Sequence, residues 1–194
     1  MKLHFSKIIT GDFIILSKVK IEDAQDIFNW RSGISGRFLH NPEGYSVVMQ
    51  EAWIKSRTDK EINYIIQDKK SLEKVGMISI YQVNTDDRVA EVGRLLLSDI
   101  YLTKSNPYGL EALLLGYNYV FNVMNFRKIT GIVAAVNIAM VKLQLFLGMK
   151  QEGYLEKHTL INGHFEDLYI LSISKDQFNN TYTKKINFLL KSFK

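Results

Sequence analysis

The sequence has no cysteine, only 2 prolines and no long run of apolar residues. Without cysteine the chain has no disulfide bond, no thiolate metal site and no cysteine nucleophile, which fits a reducing compartment, and we expect a cytoplasmic protein. The N-terminal region has a continuous apolar run only at residues 13–16, too short for a secretory signal, and no other segment is long enough to span a membrane. No linker or repeat divides the chain, so we predict one domain over residues 1–175, followed by a C-terminal segment over 176–194.

The sequence does contain enough apolar residues for one core and a small excess of positive charge. Of 194 residues, 46% are hydrophobic, and 25 Lys and Arg outnumber 20 Asp and Glu, giving a net charge of +5. This charge favours an anionic partner, whether nucleic acid, a phosphorylated small molecule or an anionic membrane, although many solvated surfaces carry as much. The basic residues are scattered and no nucleic-acid motif accompanies them, so we expect no nucleic-acid partner.

The apolar periodicity predicts an α/β protein with a mixed sheet. A strand and two helices come first, followed by a meander of three strands, a helix, a strand, a helix and a hairpin about Asn162-Gly163. The predicted strands cover residues 13–19, 62–67, 75–83, 88–97, 128–136, 149–159 and 164–174, and the predicted helices cover 21–31, 48–57, 107–125 and 138–147. Residues 32–45 and 98–106 are predicted as loops.

The C-terminal segment, residues 176–194, has the spacing of an amphipathic helix. Its apolar face consists of Tyr182, Ile186, Leu189, Leu190 and Phe193, while its lysines lie elsewhere. We expect this helix to pack on its own domain or on a second copy of the chain in a homodimer. A membrane-surface or partner-binding role is the alternative.

Several short motifs lie on the predicted elements: Glu22-Asp23-Ala24, Phe28-Asn29-Trp30-Arg31, Ala90-Glu91-Val92-Gly93, Asn137, Leu147-Gly148-Met149, Glu152-Gly153, Asn162-Gly163 and Asp167. In this order and on these elements, they resemble motifs of the GCN5-related N-acetyltransferases (GNAT), which move an acetyl group from acetyl-CoA to an amine. The resemblance covers about residues 13–174 and is closest to the branch of ribosomal-protein N-terminal acetyltransferases and nucleotide-linked amino-sugar acetyltransferases. It implies a mostly antiparallel sheet flanked by helices, with strands that splay around an acetyl-CoA site, and no metal.

A pyrophosphate such as that of acetyl-CoA needs free backbone N–H groups at a helix N-terminus, supported by cations. Pro107 stands where the family has a glycine, and proline has no N–H to donate. The segment therefore either still binds phosphate, with Pro107 at a dispensable first-turn position, or is only a helix start with impaired cofactor binding. The residues to which the resemblance assigns phosphate binding are Lys104, Ser105, Asn106, Tyr108 and Gly109.

The resemblance assigns further cofactor contacts to one strand and to one helix start. Backbone groups of Leu95, Leu96 and Leu97 would pair with the pantetheine arm, and an N–H near Leu97 would hold the thioester oxygen. From the residues alone, without the resemblance, three core leucines would be the preferred interpretation. Asn137 would hold the pantetheine or act only as a helix cap, and Lys142, one turn later, would reach a CoA phosphate.

Attack by an amine requires a group that accepts its proton. The resemblance assigns this role to Glu91, with Asn137 completing the catalytic site, and the alternative is a solvated Glu91 paired with Arg88. Because the chain has no cysteine, the acetyl group cannot pass through a cysteine-bound intermediate, so direct transfer is expected.

The proton donor to the leaving thiolate is missing from its usual place. Gln144 and Met140 stand where relatives have a tyrosine or a serine, and neither side chain can protonate a thiolate. Either no acid is needed, or it comes from elsewhere. The candidates are His158, Tyr108, Tyr117 and Tyr119.

The acceptor site is expected opposite the cofactor, between the loop after the first helix, the helix that follows it and the final hairpin. Its aromatic and cationic groups suit a small-molecule amine such as a sugar on a nucleotide diphosphate, and Glu43 is the only acid within residues 31–50. The candidate residues are Trp30, Arg31, Arg37, His40, Asn41, Tyr45 and His158, of which Trp30 could equally be a core anchor.

The leading hypothesis is therefore an acetyl-CoA-dependent N-acetyltransferase acting on a nucleotide-linked amino-deoxysugar for surface polysaccharide. A protein or peptide N-terminal amine is the second choice of acceptor. The degraded phosphate segment and the missing acid also permit a GNAT-fold binding module without catalysis.

Overall fold

The computed structural model describes residues 5–194. In this part of the chain, eight strands form one sheet in the order β1-β2-β3-β4-β5-β6-β8-β7, and all neighbours are antiparallel except β5 and β6. The strands are β1 Ile8–Thr10, β2 Ile14–Lys18, β3 Ile62–Asp68, β4 Lys74–Asn84, β5 Val89–Leu97, β6 Lys128–Ala134, β7 Lys150–Ile161 and β8 His164–Ser174.

Helices cover both faces of this sheet. The α-helices are α1 Ala24–Ser32, α2 Val47–Lys55, α3 Asp99–Leu102, α4 Tyr108–Asn118, α5 Ile138–Leu147, α6 Lys175–Gln177 and α7 Thr183–Leu190. Short 3-10 segments lie at Ile21–Asp23, Ile34–Phe38 and Lys191–Phe193, and π-helical turns lie at Tyr119–Val123 and Phe178–Tyr182. This mixed, mostly antiparallel sheet flanked by helices confirms the predicted fold class.

The central strands are buried on both faces, which explains their continuous apolar runs. In β3, Ile65 packs toward α1 with Met77 and Leu96, whereas Tyr64 and Ile66 belong to the larger core on the opposite face. Among residues 5–194, no helix has the length and apolarity needed to cross a membrane.

The turns with strong local signals lie where the sequence predicts them. Asn162 and Gly163 connect β7 to β8 with φ values of 50° and 81°, the left-handed conformation that an Asn-Gly hairpin turn requires. Gly148 ends α5 with φ 114°, and α5 has the predicted bounds.

Short elements held by tertiary contacts differ from the prediction. Strand β1 was not predicted, because three residues show no periodicity. The two predicted loops contain the 3-10 segment Ile34–Phe38 and helix α3, and these hold each other, since Ile34 N–H donates to Asp99 Oδ1 at 2.9 Å. A contact between distant residues leaves no local pattern in the sequence.

A buried carboxylate joins α4 to the turn between β1 and β2. Glu111 is 4% exposed, and its oxygens accept the backbone N–H groups of Asp12, Phe13 and Ile14 at 2.7, 2.8 and 2.8 Å. Gly11 passes so close that a Cβ there would lie 2.6 Å from Glu111 Cδ. This carboxylate therefore fixes the first hairpin to the core helix.

The C-terminal segment packs against α4 within the same molecule. Phe178, Tyr182 and Ile186 are fully buried in the larger core, and the Tyr182 ring stacks on that of Tyr117 with 4.8 Å between centroids. The segment is a helix with its apolar face buried.

Candidate active site

The sheet opens in its middle, between β5 and β6. These two parallel strands pair only where Val89–Glu91 meets Lys128–Thr130, and beyond that point no ladder joins them within the described chain. A bulge near Arg94, whose φ is 51°, shifts the register of β5 against β4. The strands therefore splay as predicted, and the opening exposes a backbone edge of β5.

A cavity of about 140 Å³, here named the gap cavity, fills this opening. Its walls include Tyr81 of β4, Arg94 of β5, Tyr117 of α4 and Asn137 at the start of α5. An adjoining groove of about 590 Å³, the α4 groove, runs from the gap cavity to the start of α4. The two share Ser35, Phe38, Leu95, Leu113, Asn137 and Met140 as lining residues.

A third cavity, the α1–α2 pocket, lies on the other side of Arg94. It has about 230 Å³ and is formed by α1, α2, β4 and β5. Arg94 lines both this pocket and the gap cavity, so the two cavities adjoin at this side chain.

The start of α4 offers a partly filled set of backbone donors. Asn106 Oδ1 accepts the N–H of Tyr108 at 3.1 Å, while its Nδ2 donates to the carbonyl oxygens of Tyr101 and Lys104. The first backbone bond of the helix runs from Glu111 N–H to Pro107 O, so the N–H groups of the preceding residues, 109 and 110, have no helical partner. Both residues line the α4 groove.

A family comparison decides what this opening is. A protein-family model described as an acetyltransferase (GNAT) domain matches residues 14–150. The chain belongs to the GNAT acetyltransferase family. No curated protein matches it.

Solved structures agree in fold. A GCN5-related N-acetyltransferase from Brucella melitensis matches with a TM-score of 0.76 at 21% identity, over 91% of this chain and 82% of that one. A protein from T. thermophilus assigned as an acetyltransferase matches with a TM-score of 0.80 at 20% identity, over 97% and 99%. The spermidine/spermine N-acetyltransferase SpeG from Vibrio cholerae, in mutant forms, matches with a TM-score of 0.75 at 20% identity, over 88% and 98%.

GNAT acetyltransferases use acetyl-CoA, and the α4 groove has the chemistry to hold it. Lys104 contributes a cation, the start of α4 contributes N–H donors, and Leu97 and Leu143 contribute an apolar wall. Asn137 caps α5, where its Oδ1 accepts the N–H of Met140 at 3.3 Å, and it lines both the groove and the gap cavity. When bound, acetyl-CoA supplies an activated acetyl thioester.

On the exposed edge of β5, the N–H of Leu97 already donates a hydrogen bond within the protein. Ser98 N–H donates to Val75 O on β4, so the preceding N–H, that of Leu97, points away from β4. There it donates to Ser35 Oγ at 3.0 Å. Leu96 lies 1% exposed in the core under α1, whereas Leu95 and Leu97 line the groove.

Glu91 stands opposite Tyr81 in the pairing of β5 with β4, close enough for each side chain to influence the pKa of the other. Burial raises the pKa of Glu91, although the Tyr81 hydroxyl and the charge of Arg94 act in the opposite direction. Burial also raises the pKa of Tyr81, and the nearby Glu91 adds to this effect. Tyr81 lines the gap cavity, and Glu91 is the carboxylate behind it.

Of the tyrosines considered as acids, only Tyr117 lines the gap cavity. Its hydroxyl lies 3.4 Å from Gln144 Oε1 and 3.4 Å from Met149 Sδ, and burial raises its pKa, so it stays protonated at neutral pH. Tyr108 instead donates to Asp68 Oδ2 at 2.8 Å, and Tyr119 is buried in the core.

The acceptor-side residues form one network around Arg31. Its guanidinium donates to Asn41 Oδ1 at 2.9 Å and to His40 O at 3.0 Å, and it lies over the Tyr45 ring at 5.4 Å. His40 Nδ1 lies 3.1 Å from Leu160 O, which ties the network to the final hairpin. The structure thus brings Arg31, His40, Asn41 and Tyr45 together.

Other predicted residues lie elsewhere. Arg37 lines the α4 groove and not the α1–α2 pocket. Trp30 is 6% exposed and packs in the core under α1. Ser105, Lys142 and His158 are exposed and line none of the three cavities.

The sequence did not point to Ser35, Gln50, Tyr81 or Arg94, which all border the cavities. Arg94 leaves a signal in the sequence, because it is a charge within an otherwise apolar strand. The others leave none, since their positions depend on how α2 and the 3-10 segment pack on the sheet.

Proposed function

We propose that this protein transfers an acetyl group directly from acetyl-CoA, bound in the α4 groove, to a primary amine that enters from the α1–α2 side. The observation that supports this most strongly is the opening between β5 and β6, where the gap cavity shares six lining residues with the α4 groove and adjoins the α1–α2 pocket at Arg94. In this arrangement the two reactants would meet at the opening and react without a covalent enzyme intermediate.

The cofactor would be held mainly at three points. Lys104 and the N–H groups of residues 109 and 110 would bind the pyrophosphate. Pro107 lacks an N–H, but it is the N-cap residue before α4, so these two donors remain. Asn137, whose Nδ2 donates no hydrogen bond within residues 5–194, would bind the pantetheine amide. Leu97 N–H becomes available only when Ser35 Oγ releases it.

Glu91 would accept the amine proton through Tyr81. The Tyr81 oxygen would take the proton from the attacking amine while its own proton passes to the Glu91 carboxylate. The carbon–nitrogen bond forms, the carbon–sulfur bond breaks, and the departing thiolate can take a proton from Tyr117. A carboxylate whose pKa burial raises is a stronger base than an exposed one.

As acceptor we propose a nucleotide-linked amino-deoxysugar, with a protein or peptide N-terminus as the second candidate. The support is electrostatic, because Arg31 and Arg94 approach the acceptor side and the described residues lining the α1–α2 pocket include no acid. A polyamine, the substrate class in the name of SpeG, would require acidic groups there.

The test is product detection by mass spectrometry with acetyl-CoA and a panel of nucleotide-linked amino sugars, peptides and polyamines. We expect a mass increase of one acetyl group on an amino sugar, together with calorimetric binding of acetyl-CoA. Acetyl-CoA binding with no acetylated product from any amine would instead support a non-catalytic binding module. If acetyl-CoA does not bind and no acetylated product forms, the proposal is overturned.

A further inference from the structure

The α1–α2 pocket contains a buried side-chain amide that the described part of the chain pairs only through its oxygen. Gln50 of α2 is 2% exposed, and its Oε1 accepts the Tyr45 hydroxyl at 2.5 Å. Within the described chain, its Nε2 has no hydrogen-bond partner. A buried N–H without a partner is costly, so it calls for an explanation, and an acceptor supplied by another molecule is one.

Two cations lie beside this amide. Arg31 and Arg94 both line the pocket, and they are close enough that the charge of Arg94 contributes, after burial, to lowering the pKa of Arg31. Arg94 has one carboxylate partner, Glu61, at 3.1 Å, and Glu61 also pairs with Arg57. No carboxylate of residues 5–194 forms an ion pair with Arg31.

The α1–α2 pocket also has aromatic and apolar walls, and one of its two arginines is held by neighbouring rings. Trp53 and Tyr45 supply aromatic surface, while Met49 and Met77 close the pocket on its apolar side. Arg94 is fixed in place, because its guanidinium stacks on the Tyr81 ring at 4.1 Å and on the Trp53 ring at 5.6 Å. A guanidinium held in this way has its N–H donors oriented before a ligand binds.

We propose that the α1–α2 pocket binds an oxyanion of the acceptor molecule, a phosphate or a carboxylate, through Gln50 Nε2 and the guanidinium groups of Arg31 and Arg94. The inference rests on the proposed function and names a chemical requirement of its substrate. Because Arg94 borders both the pocket and the gap cavity, an oxyanion held here leaves the rest of the molecule directed toward the acetyl-transfer position.

The decisive variant is Gln50→Glu. The new carboxylate keeps an acceptor for the Tyr45 hydroxyl but replaces the amide donor with a negative charge beside the two arginines. Gln151→Glu is the matched control, since Gln151 is exposed on β7 and the substitution changes the net charge equally.

Acetylation is measured with two matched pairs of amines: glucosamine 1-phosphate against glucosamine, and β-alanine against β-alaninamide. For the wild type and for Gln151→Glu, we expect kcat/KM to favour at least one anionic member by about tenfold or more, whereas Gln50→Glu removes that preference. The pair that shows the effect identifies phosphate or carboxylate as the oxyanion. Equal preference in wild type and Gln50→Glu would overturn the proposal.

Binding provides a measurement independent of turnover. In the wild type, the side-chain amide resonance of Gln50 should shift on titration with glucosamine 1-phosphate or β-alanine, and not with the uncharged member of the pair. An amide shift without acetylation of any amine would contradict the proposed function while supporting the oxyanion site. Acetylation without an amide shift for either anion would contradict the site alone.

Discussion

Two buried polar side chains of this protein differ in how completely they are paired. Glu111, on α4, uses both carboxylate oxygens to accept three backbone N–H groups of the β1–β2 region. Gln50, on α2, pairs its oxygen with Tyr45 and, among the described residues, leaves its Nε2 without a partner. Both are at most 4% exposed, so depth of burial does not distinguish them.

The difference separates residues that hold the fold from residues that await a ligand. Removing a fully paired group leaves several backbone donors unsatisfied in the protein, which costs stability. Removing a group with an unpaired donor costs little stability, and its loss is felt in binding. Substitutions at the two kinds of residue should therefore differ in what they change.

Glu111→Ala should destabilise the protein most. Three N–H groups would lose their acceptor, and at about 1 kcal/mol or more for each unsatisfied donor we expect a loss of about 3 kcal/mol in the free energy of unfolding. Urea unfolding followed by circular dichroism measures it, with Glu156→Ala on the exposed face of β7 as the control. A loss no greater than that of the control would contradict the assigned role of Glu111.

Glu91→Gln should lower kcat by about 100-fold while leaving the fold intact. Burial raises the pKa of Glu91, so the folded state holds this proton to higher pH than the unfolded state, and ionised Glu91 opposes folding above its unfolded pKa. The variant should therefore be at least as stable as the wild type at pH 7.

The dependence of kcat on pH is a second test of Glu91 as the base. Wild-type activity should fall as pH decreases through the raised pKa of Glu91, above the usual range for a glutamate, and the variant should lose this acidic limb. A variant with unchanged kcat would refute the role of Glu91 as base.

Ser35→Ala tests the Leu97 N–H, a donor that is paired with Ser35 Oγ in this structure. Without Ser35 Oγ, Leu97 N–H is open to acetyl-CoA from the start, so affinity should rise by roughly twofold to tenfold, the value of about one net hydrogen bond. Calorimetry with acetyl-CoA measures it, with Ser105→Ala as the control. Weaker binding in Ser35→Ala alone would mean that Ser35 itself contacts the cofactor.

Gln50→Met should have the smallest effect on stability, within about 0.5 kcal/mol of the wild type in urea unfolding, because Met has a similar size and the amide Nε2 that it replaces has no partner among residues 5–194. The partly exposed Tyr45 hydroxyl can turn to water. A loss approaching that expected for Glu111→Ala would remove the distinction between the two residues.

The family and most of the fold could be predicted from the sequence, because their signals are local. Asn137 and Gly148 bracket α5, and Asn162-Gly163 specifies the final hairpin. The α1–α2 pocket could not be predicted, because the unpaired Gln50 amide exists only once α2 packs on β4 and β5. The covering of Leu97 N–H by Ser35 likewise joins residues 62 positions apart.

The central claim is tested most directly by competition in one reaction. The protein is given acetyl-CoA with equal concentrations of glucosamine 1-phosphate, β-alanine and spermidine, and mass spectrometry measures the ratios of the three acetylated products. We predict that at least one acetylated anionic amine exceeds acetylated spermidine by about tenfold or more, because the described lining of the α1–α2 pocket has two arginines and no acid. Predominance of acetylated spermidine would contradict the account.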